Sequence, residues 1–357
     1  MAPLSRGRGL LLSRLVFITQ VVDPDDPNLG ATTAKIAALA RRVDEVVVLC
    51  DRARDGVLPA NCRVHVFGAP SRPARALNFV RALASALRPA PLAVVAHMVP
   101  LYAVVAAPLV RPRGVPLMLW YTHWKSHLVL RAATLLATDI VSVDEQSFPL
   151  RSRKVHGIGH GIDLSEFPCA PAASSSGRSL QVLTLGRYSR GKRIDELVEG
   201  VRLARERGVD VVFAVHGTTG APELDAYKRE LEAVARGLDW VSIGGPIPRT
   251  EVPAAYAGVD VVASDFNSPD KIVLEACASC RPVLASDASF GRLLEGIEPP
   301  LVFERGRPET FADRLAALAA LDGDARSEIG KELRERVRAQ HSVDTWADAI
   351  LRLANAL

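Results

Sequence analysis

The sequence predicts an α/β protein with two doubly wound domains, and three observations support this. The chain has 357 residues, enough for two domains that each bury a core. Short apolar, β-branched runs alternate with helical patterns in both halves, which is typical of parallel sheets covered by helices on both faces. Between the halves, residues 165–179 read SEFPCAPAASSSGRS, which is rich in Pro, Ala and Ser and has no periodicity.

Six strands are predicted in each half. Those of the first half are RLVFIT, EVVVLC, RVHVFG, LAVVAH, PLMLWY and DIVSVD, and those of the second are LQVLTLG, VVFAVHG, WVSIGG, VDVVAS, RPVLAS and PLVFE. We therefore expect two Rossmann-like domains, at 1–166 and 179–340, joined by a linker at 167–178. A C-terminal helix is expected at 341–357, with packing on the N-terminal domain as one option.

Two apolar segments raise the question of export or membrane insertion. The N-terminus resembles a signal peptide, but Arg14 breaks its apolar run, so a first core strand at Leu15–Thr19 is the simpler interpretation. Residues 92–110 are long enough to span a membrane, but a histidine and two prolines interrupt them. We expect a buried strand, a loop and a buried helix there.

The five cysteines are an odd number scattered over a long chain, which is not typical of a disulfide framework. We therefore expect a reducing, cytoplasmic location. Cys277 and Cys280 form an isolated CxxC pair within an apolar helical pattern, for which a packing role is expected.

Charge is distributed unevenly between the halves. Residues 1–168 contain 20 Lys and Arg against 12 Asp and Glu, whereas residues 169–357 contain 24 against 28. Two interpretations stay open: chance solvation, or a basic N-terminal domain that contacts an anionic acceptor or the inner face of a membrane as a peripheral protein. The arginines and leucines of residues 71–88 have helical spacing, which favours the second. No nucleic-acid partner is expected.

Two cations follow the first strand of the second half. Arg187 and Lys192 lie between a predicted strand, Leu180–Leu185, and a predicted helix, Ile194–Val201. Ligands of open α/β sheets bind at the carboxyl ends of the strands, and both side chains can donate charge-assisted hydrogen bonds to phosphate. The alternative is a solvated basic loop.

A second predicted strand-to-helix loop, SDFNSPDKIVLEA, lies about eighty residues further on. Ser268 suits an N-cap and Pro269 the first helical position, so the helix N-terminus is expected to form an anion site. The free amides of that site would belong to Asp270, Lys271 and Ile272. Glu275, one turn into the helix, is either part of a structural ion pair or an acceptor for the hydroxyls of a ribose.

These segments resemble a known family. LGRYSRGKRIDELVEG resembles the Gly-Arg…Lys-Gly phosphate loop of the retaining glycosyltransferases with the two-domain GT-B fold, called glycosyltransferase family four or glycosyl transferases group 1. VLEACASCRPVLAS resembles that family's Leu-Glu-Ala…Pro-Val-Val-Ala segment, GIGHGIDLSEF its interdomain element, and VSIGGPIPRTEVPAAYAGVDVVAS the stretch that carries its base site. The similarity covers most of the C-terminal half in the right order and is weaker before residue 155.

The resemblance implies a retaining, metal-independent hexosyl transfer without a cofactor. The donor would be a nucleotide-diphosphate sugar, with a UDP or GDP sugar expected, held mainly by the C-terminal domain. The acceptor, a glycan, glycolipid or small molecule, would be held by the N-terminal domain. An envelope polysaccharide, glycolipid or secondary-metabolite pathway is the expected context.

The resemblance implies the roles of His123, Gly30, Asn267, Pro246 and Ile247, and the other candidates follow from the residues themselves. The expected catalytic residues are His123, Arg187 and Lys192; the expected donor-binding residues are Gly30, Asn267, Ser268, Asp270, Lys271, Ile272, Glu275, Pro246 and Ile247. His97 follows a strand and is expected either to line the acceptor cleft or to be a buried structural histidine. No metal site is expected, since two histidines around Lys125 are a weak signal.

One departure from the family keeps other functions open. The family has paired glutamates eight positions apart, and Asn267 stands eight positions before Glu275. Asp270 would also repel a diphosphate unless Lys271 offsets its charge. A non-catalytic nucleotide-sugar-binding or scaffold protein of the same fold, or a nucleotide-sugar epimerase, therefore remains as an alternative.

Overall fold

A computed structural model of the protein contains two parallel sheets, one in each of two units of the chain. The structure describes residues 13–26, 29–123, 125–169, 179–267, 269–286 and 290–356. The first unit runs to Gly161 and includes the chain from Val343 onwards, and the second unit is Ile162–Ser342.

The first unit has seven described strands and five described helices. The strands are β1 Arg14–Val22, β2 Glu45–Ala53, β3 Cys62–Val66, β4 Ala93–His97, β5 Leu117–Trp120, β6 Asp139–Ser142 and β7 Val155–Gly157. The helices are α1 Thr32–Ala40, α2 Arg72–Ala86, α3 Pro100–Val110, α4 Leu128–Leu136 and α12 Val343–Asn355. The sheet order is β3-β2-β1-β4-β5-β6-β7, and all neighbours are parallel.

Helices cover both faces of this sheet, which explains why its central strands are continuous apolar runs rather than alternating ones. On one face, Val16 and Val94 belong to a core cluster that includes Phe79 of α2 and Ala106 of α3, and α4 packs beside α3. On the other face α12 packs against α1, and its Trp346 lies edge-on to Trp120 of β5 with ring centroids 5.6 Å apart.

The second unit has six described strands and seven described helices. The strands are β8 Leu180–Arg187, β9 Val211–Thr218, β10 Val241–Gly244, β11 Val261–Ser264, β12 Val283–Ser286 and β13 Val302–Phe303. The helices are α5 Ile194–Glu206, α6 Pro222–Ala235, α7 Val252–Ala257, α8 Lys271–Ala278, α9 Gly291–Leu294, α10 Pro308–Ala319 and α11 Gly323–His341. The order β10-β9-β8-β11-β12-β13 reverses direction next to β8, so the carboxyl ends of β8 and β11 flank a topological switch point.

All twelve predicted strands are present, and the two-domain parallel-sheet fold is confirmed. Strand β7 was not predicted, because its three residues are too few to show a period. Residues 92–110 form β4, a short loop and α3, as expected. Among the described residues, no helix is long and apolar enough to cross a membrane.

The cysteines were not expected to form a disulfide framework, but one disulfide is present among the described residues. Cys169 and Cys280 are joined, with their Cα atoms 5.0 Å apart and a separation of 111 positions in sequence. Cys280 therefore has a covalent partner outside the CxxC pair, whereas Cys277 is a buried free thiol whose pKa is raised by burial. Sequence spacing could not reveal this pairing, because it depends on how the segment after Ile162 packs against α8.

Candidate functional site

The loop after β8 folds back on the strand. The Nζ atom of Lys192 donates a hydrogen bond to the Leu185 carbonyl at 2.8 Å, which brings the lysine stem over Gly186. A Cβ atom on Gly186 would lie 2.5 Å from that Nζ, and the residue has a φ of +132°. Glycine is therefore required here both for its backbone conformation and for the approach of the lysine.

Replacing Gly186 by alanine is expected to lower the free energy of unfolding by about 2 kcal/mol, because it adds backbone strain and displaces Lys192. Urea unfolding would measure the loss. Gly208→Ala is the matched control, since Gly208 also has a positive φ of 85° but no atom within 4 Å of an added Cβ. An equal loss in both variants would show that the contact with Lys192 contributes nothing.

Lys192 is already paired with a carboxylate. Its Nζ lies 2.7 Å from Oδ2 of Asp270, and the two side chains are only 11% and 9% exposed. The Ser264 hydroxyl, at the end of β11, donates to the same carboxylate oxygen at 2.8 Å. The charge of Asp270 is thus offset by Lys192, whereas Lys271, which the sequence left open for this role, pairs with Glu275.

Arg187 differs from Lys192 in being exposed. It is the last residue of β8, and no described residue pairs with its guanidinium. An incoming anion can therefore bind Arg187 at the carboxyl end of β8 without first breaking an ion pair.

The start of α8 differs from the expectation. The helix begins at Lys271 with Asp270 at the N-cap, and the Asp270 side chain makes no capping hydrogen bond because it faces Lys192. Pro269 precedes the helix instead of opening it, and Ser268 lies outside the described residues. The amides of Lys271 and Ile272 remain at the helix N-terminus, where the helix dipole favours an anion.

Asn267 lies beside the loop after β8. A Cβ atom on Gly191 would be 3.8 Å from the Asn267 Oδ1 atom and 3.3 Å from the ring of Phe266. That ring also lies 5.6 Å from Nζ of Lys192. The two strand-to-helix loops, after β8 and β11, therefore meet at one place, as their positions on the sheet predict.

Glu275 is 4% exposed and has two cationic partners. Lys271 Nζ lies 2.8 Å from its Oε1, Arg249 forms a short ion pair with the same oxygen, and the Tyr256 hydroxyl donates to Oε2 at 3.3 Å. Burial alone would raise the pKa of Glu275, but Lys271 and Arg249 outweigh it and lower the pKa below the usual value. The carboxylate is therefore held ionised as a hydrogen-bond acceptor.

Arg249 was missed by the sequence analysis. It also pairs with Glu166 at 2.6 Å and stacks over the Phe167 ring at 5.1 Å. Only its position could have identified it as a site residue: it lies just after Pro246 and Ile247, in the stretch that resembles the base site. Since Arg249 contacts Glu275, it links that stretch to α8.

The loop that contains Pro246 and Ile247 follows β10. The Tyr188 hydroxyl donates to the Gly244 carbonyl at 2.6 Å, and His216 Nδ1 lies 3.2 Å from the Gly245 carbonyl. These contacts attach the loop to the carboxyl ends of β8 and β9, at the same edge as Arg187.

A buried aspartate flanked by two arginines, next to the loop after β8, was also missed. Asp265 is 1% exposed, and the Nε atoms of Arg193 and Arg305 lie 3.4 and 3.7 Å from its carboxylate oxygens. Burial raises its pKa to about 6, against the opposing effect of Ser286 and the two arginines. Arg193 directly follows the turn that contains Lys192. Its contact with Asp265 therefore holds the loop after β8 against the residue that follows β11.

The remaining candidates lie at the carboxyl edge of the first unit's sheet. A Cβ atom on Gly30 would lie 2.4 Å from the Pro24 carbonyl oxygen, so the turn before α1 excludes a larger residue. His97, at the end of β4, is 4% exposed and lies 3.4 Å from the Thr19 hydroxyl; burial, together with nearby Lys35, holds its pKa well below the usual value. His123 is exposed after β5, and its Nδ1 accepts a hydrogen bond from the Lys125 amide at 3.0 Å.

A cavity of about 880 Å³ lies elsewhere in the second unit, beside α11. Its lining includes Cys169, Cys280 and Glu335, and none of the candidate site residues. None of the lining residues lies at the carboxyl end of a strand. The cavity therefore differs from the edge of the sheet near Arg187, where several strand-to-helix loops come together. Among the described residues, no group of acidic, His and Cys side chains has the arrangement of a metal site.

A match to a known protein family lies in the same part of the chain as these candidate site residues. Residues 179–320 match the family described as Glycosyl transferases group 1. No curated protein matches the chain. The family match covers Arg187, Lys192 and Glu275, where the motif resemblance was strongest.

Solved structures match the whole chain at low sequence identity. A sucrose-phosphate synthase from Thermosynechococcus elongatus has a TM-score of 0.73 at 17% identity, covering 96% of this chain and 98% of its own. Anabaena Alr3699/HepE in complex with UDP and glucose has a TM-score of 0.72 at 18% identity, with 97% and 100% covered. A glycosyltransferase from Rickettsia africae has a TM-score of 0.74 at 13% identity, with 96% and 98% covered. The chain therefore has the GT-B fold, and its residues 179–320 match the glycosyl transferases group 1 family.

Proposed function

We propose that the protein transfers a hexosyl group from a nucleotide-diphosphate sugar to a glycan, glycolipid or small-molecule acceptor, with retention of configuration and without a metal. One observation carries the proposal: Arg187, Lys192, the start of α8 and Glu275 converge at the switch point of a sheet whose sequence matches glycosyl transferases group 1. A diphosphate and a ribose are the groups that such a set of cations, amides and a carboxylate binds.

In this proposal the donor lies along the carboxyl edge of the second unit. The leaving diphosphate contacts Arg187 and the amides of Lys271 and Ile272. Negative charge grows on the diphosphate as the glycosidic bond breaks, so these fixed donors stabilise the transition state more than the ground state. The base lies against the loop of Pro246 and Ile247.

Glu275 accepts the hydroxyls of the ribose. Lys271 is the more exposed of its cationic partners, with 33% of its side chain exposed against 26% for Arg249. We propose that the ribose displaces Lys271, while Arg249 keeps the carboxylate ionised. Lys271 is then free to contact the diphosphate.

The donor sugar and the acceptor would be bound by residues outside this set. Asn267 can hydrogen-bond sugar hydroxyls through its amide, and it lies beside the loop after β8. We propose that His123 and Gly30 contact the donor and that His97 contacts the acceptor. A UDP sugar is the first donor to test, since the Anabaena protein of the same fold is described as a complex with UDP and with UDP-glucose.

A nucleoside diphosphate that binds only the folded protein raises the melting temperature by mass action. We expect one of UDP, GDP, ADP, dTDP and CDP to raise the Tm, with the same shift in the presence of magnesium and of EDTA. Glu275→Gln should lose most of that shift, because a neutral amide accepts ribose hydroxyls more weakly. Glu230→Gln is the control, since Glu230 is an exposed partner of Arg190 on α6. No shift with any of the five nucleotides would contradict the proposal.

A non-catalytic nucleotide-binding protein is the second candidate. Two observations favour it: Lys192 is occupied by Asp270, and Asn267 replaces a glutamate. It predicts the same thermal shift but no release of nucleotide from any sugar donor, so a turnover assay separates the two functions.

A further inference from the structure

One stretch of the first unit is exclusively basic. Residues 56–138 contain nine lysines and arginines and no aspartate or glutamate. This stretch includes α2, α3 and α4, which pack side by side on one face of the sheet. Together α2, α3 and α4 contain four of these cations, Arg72, Arg75, Arg81 and Arg131, and no acidic residue.

Exposed apolar side chains are concentrated in the same stretch. Of the nine large hydrophobic side chains that are exposed in the described chain, eight lie within it. They are Val64, Val66, Leu77, Leu101, Leu128, Val129, Leu135 and Leu136, and the ninth is Val234 on α6. Isolated exposed apolar residues are ordinary, but a contiguous group marks an interaction surface.

Helix α4 carries half of that group on one side. Its buried side contains Leu130 and Ala133, which pack into the core of the first unit. On the opposite side Leu128 is 81% exposed and Leu135 is 79% exposed. Residues seven apart lie on the same side of an α-helix, so these leucines form one apolar stripe that faces solvent.

The two leucines of the stripe and their exposed neighbours on the helix form one surface. We call this surface the α4 face, and it consists of Leu128, Val129, Arg131, Leu135 and Leu136, all exposed. The helix contains no acidic residue. An apolar strip with a cation at its edge has the composition of helices that lie in the interface of a bilayer.

Cations also lie at the C-terminal end of α4. Lys154 Nζ donates to the carbonyls of Thr134, Leu135 and Ala137 at 3.2, 3.0 and 2.8 Å. This contact holds the loop before β7 against the end of the helix. Arg151 and Arg153, both exposed, are in that loop, so they extend the positive charge beside the α4 face.

We propose that the α4 face docks on the surface of an anionic lipid bilayer. Its leucines would enter the boundary between headgroups and acyl chains, and Arg131, Arg151 and Arg153 would contact the lipid phosphates. A second copy of the chain is the poorer partner, because two faces of the same positive charge repel each other. The inference does not depend on the proposed function.

Sedimentation with lipid vesicles tests this directly with the full-length protein. The protein should bind vesicles of phosphatidylcholine and phosphatidylglycerol, bind pure phosphatidylcholine vesicles far less, and dissociate as ionic strength rises. Leu128→Ser/Leu135→Ser should weaken binding to the anionic vesicles at least about tenfold, since two leucines lose their burial in lipid. Arg131→Glu should weaken it at least about fivefold.

Two variants on α6 are matched controls. Val234→Ser removes an apolar side chain that is 56% exposed, and Arg229→Glu reverses an exposed charge in the other unit. Both should bind vesicles as the wild type does. All the altered residues are exposed, so circular dichroism and the Tm should not change.

Three results would overturn the proposal. The first is no binding of the wild type to anionic vesicles. The second is equal weakening by the α4 and α6 variants, which would mean that the protein binds by net charge alone. The third is self-association of the wild type that Leu128→Ser/Leu135→Ser abolishes while vesicle binding is unchanged, which would assign the face to a second copy.

Discussion

Replacing Arg187 by alanine is expected to lower kcat at least about a hundredfold, because the variant loses a cation that stabilises the departing diphosphate. The melting temperature should stay within about 1–2 °C of the wild type, since the side chain is exposed and unpaired among the described residues. Turnover of the donor, measured as release of nucleoside diphosphate, checks the first expectation, and thermal unfolding checks the second.

Arg190→Ala is the matched control for this experiment. Arg190 lies three residues further along the same loop, but its guanidinium pairs with Glu230 at 2.6 Å and lies over the Tyr227 ring. Its loss should change kcat less than about threefold. If both variants lose activity equally, the loop acts through its total charge and the assignment of Arg187 to the diphosphate is wrong.

Lys192→Met is expected to lower the free energy of unfolding by about 3 kcal/mol, since it leaves the nearly buried Asp270 carboxylate without its cation. The loss follows from the ion pair with Asp270, whose two side chains are nearly buried. Chemical denaturation of the variant measures the loss.

A double-mutant cycle with Asp270→Asn separates the ion pair from the other contacts of Lys192. Lys192→Met/Asp270→Asn should recover part of the stability lost in Lys192→Met, because the uncompensated charge is gone. The single Asp270→Asn variant should bind UDP more tightly, since Lys192 becomes available to the phosphates. Additive losses, with no recovery in the double variant, would show that the pair is not coupled.

The sequence predicted the sheets well because the pattern of a buried parallel strand is local. Runs such as EVVVLC and VDVVAS are apolar throughout, which requires helices on both faces wherever they occur. The exception, β7, is too short to carry a pattern. The loops after β8 and β11 could likewise be placed at one edge from strand direction alone.

The partners of the charged residues could not be predicted in the same way. The sequence placed Asp270 near the diphosphate but gave no distance between its carboxylate and Lys192, which depends on how the loop after β8 folds back across Gly186. Nothing in the sequence identifies the partners of Arg249 and Arg193. Their partners, Glu275 and Asp265, are 26 and 72 residues away along the chain.

The disulfide and the α4 face were missed for related reasons. An odd cysteine count argues against a disulfide framework but says nothing about a single pair that the fold brings together. The apolar periodicity of α4 predicts a helix but does not show which side is buried. Only the packing of Leu130 and Ala133 leaves the leucine stripe in solvent.

The central claim is transfer from a nucleotide sugar, and donor turnover tests it most directly. UDP sugars, then GDP sugars, would be incubated with the protein and with water, glycans or a lipid extract as acceptor, and the released nucleoside diphosphate would be measured. We predict release by the wild type that falls at least about a hundredfold in Arg187→Ala and persists in Arg190→Ala. Binding of a nucleotide without release from any donor would contradict the account and identify the protein as a non-catalytic nucleotide-binding member of the fold.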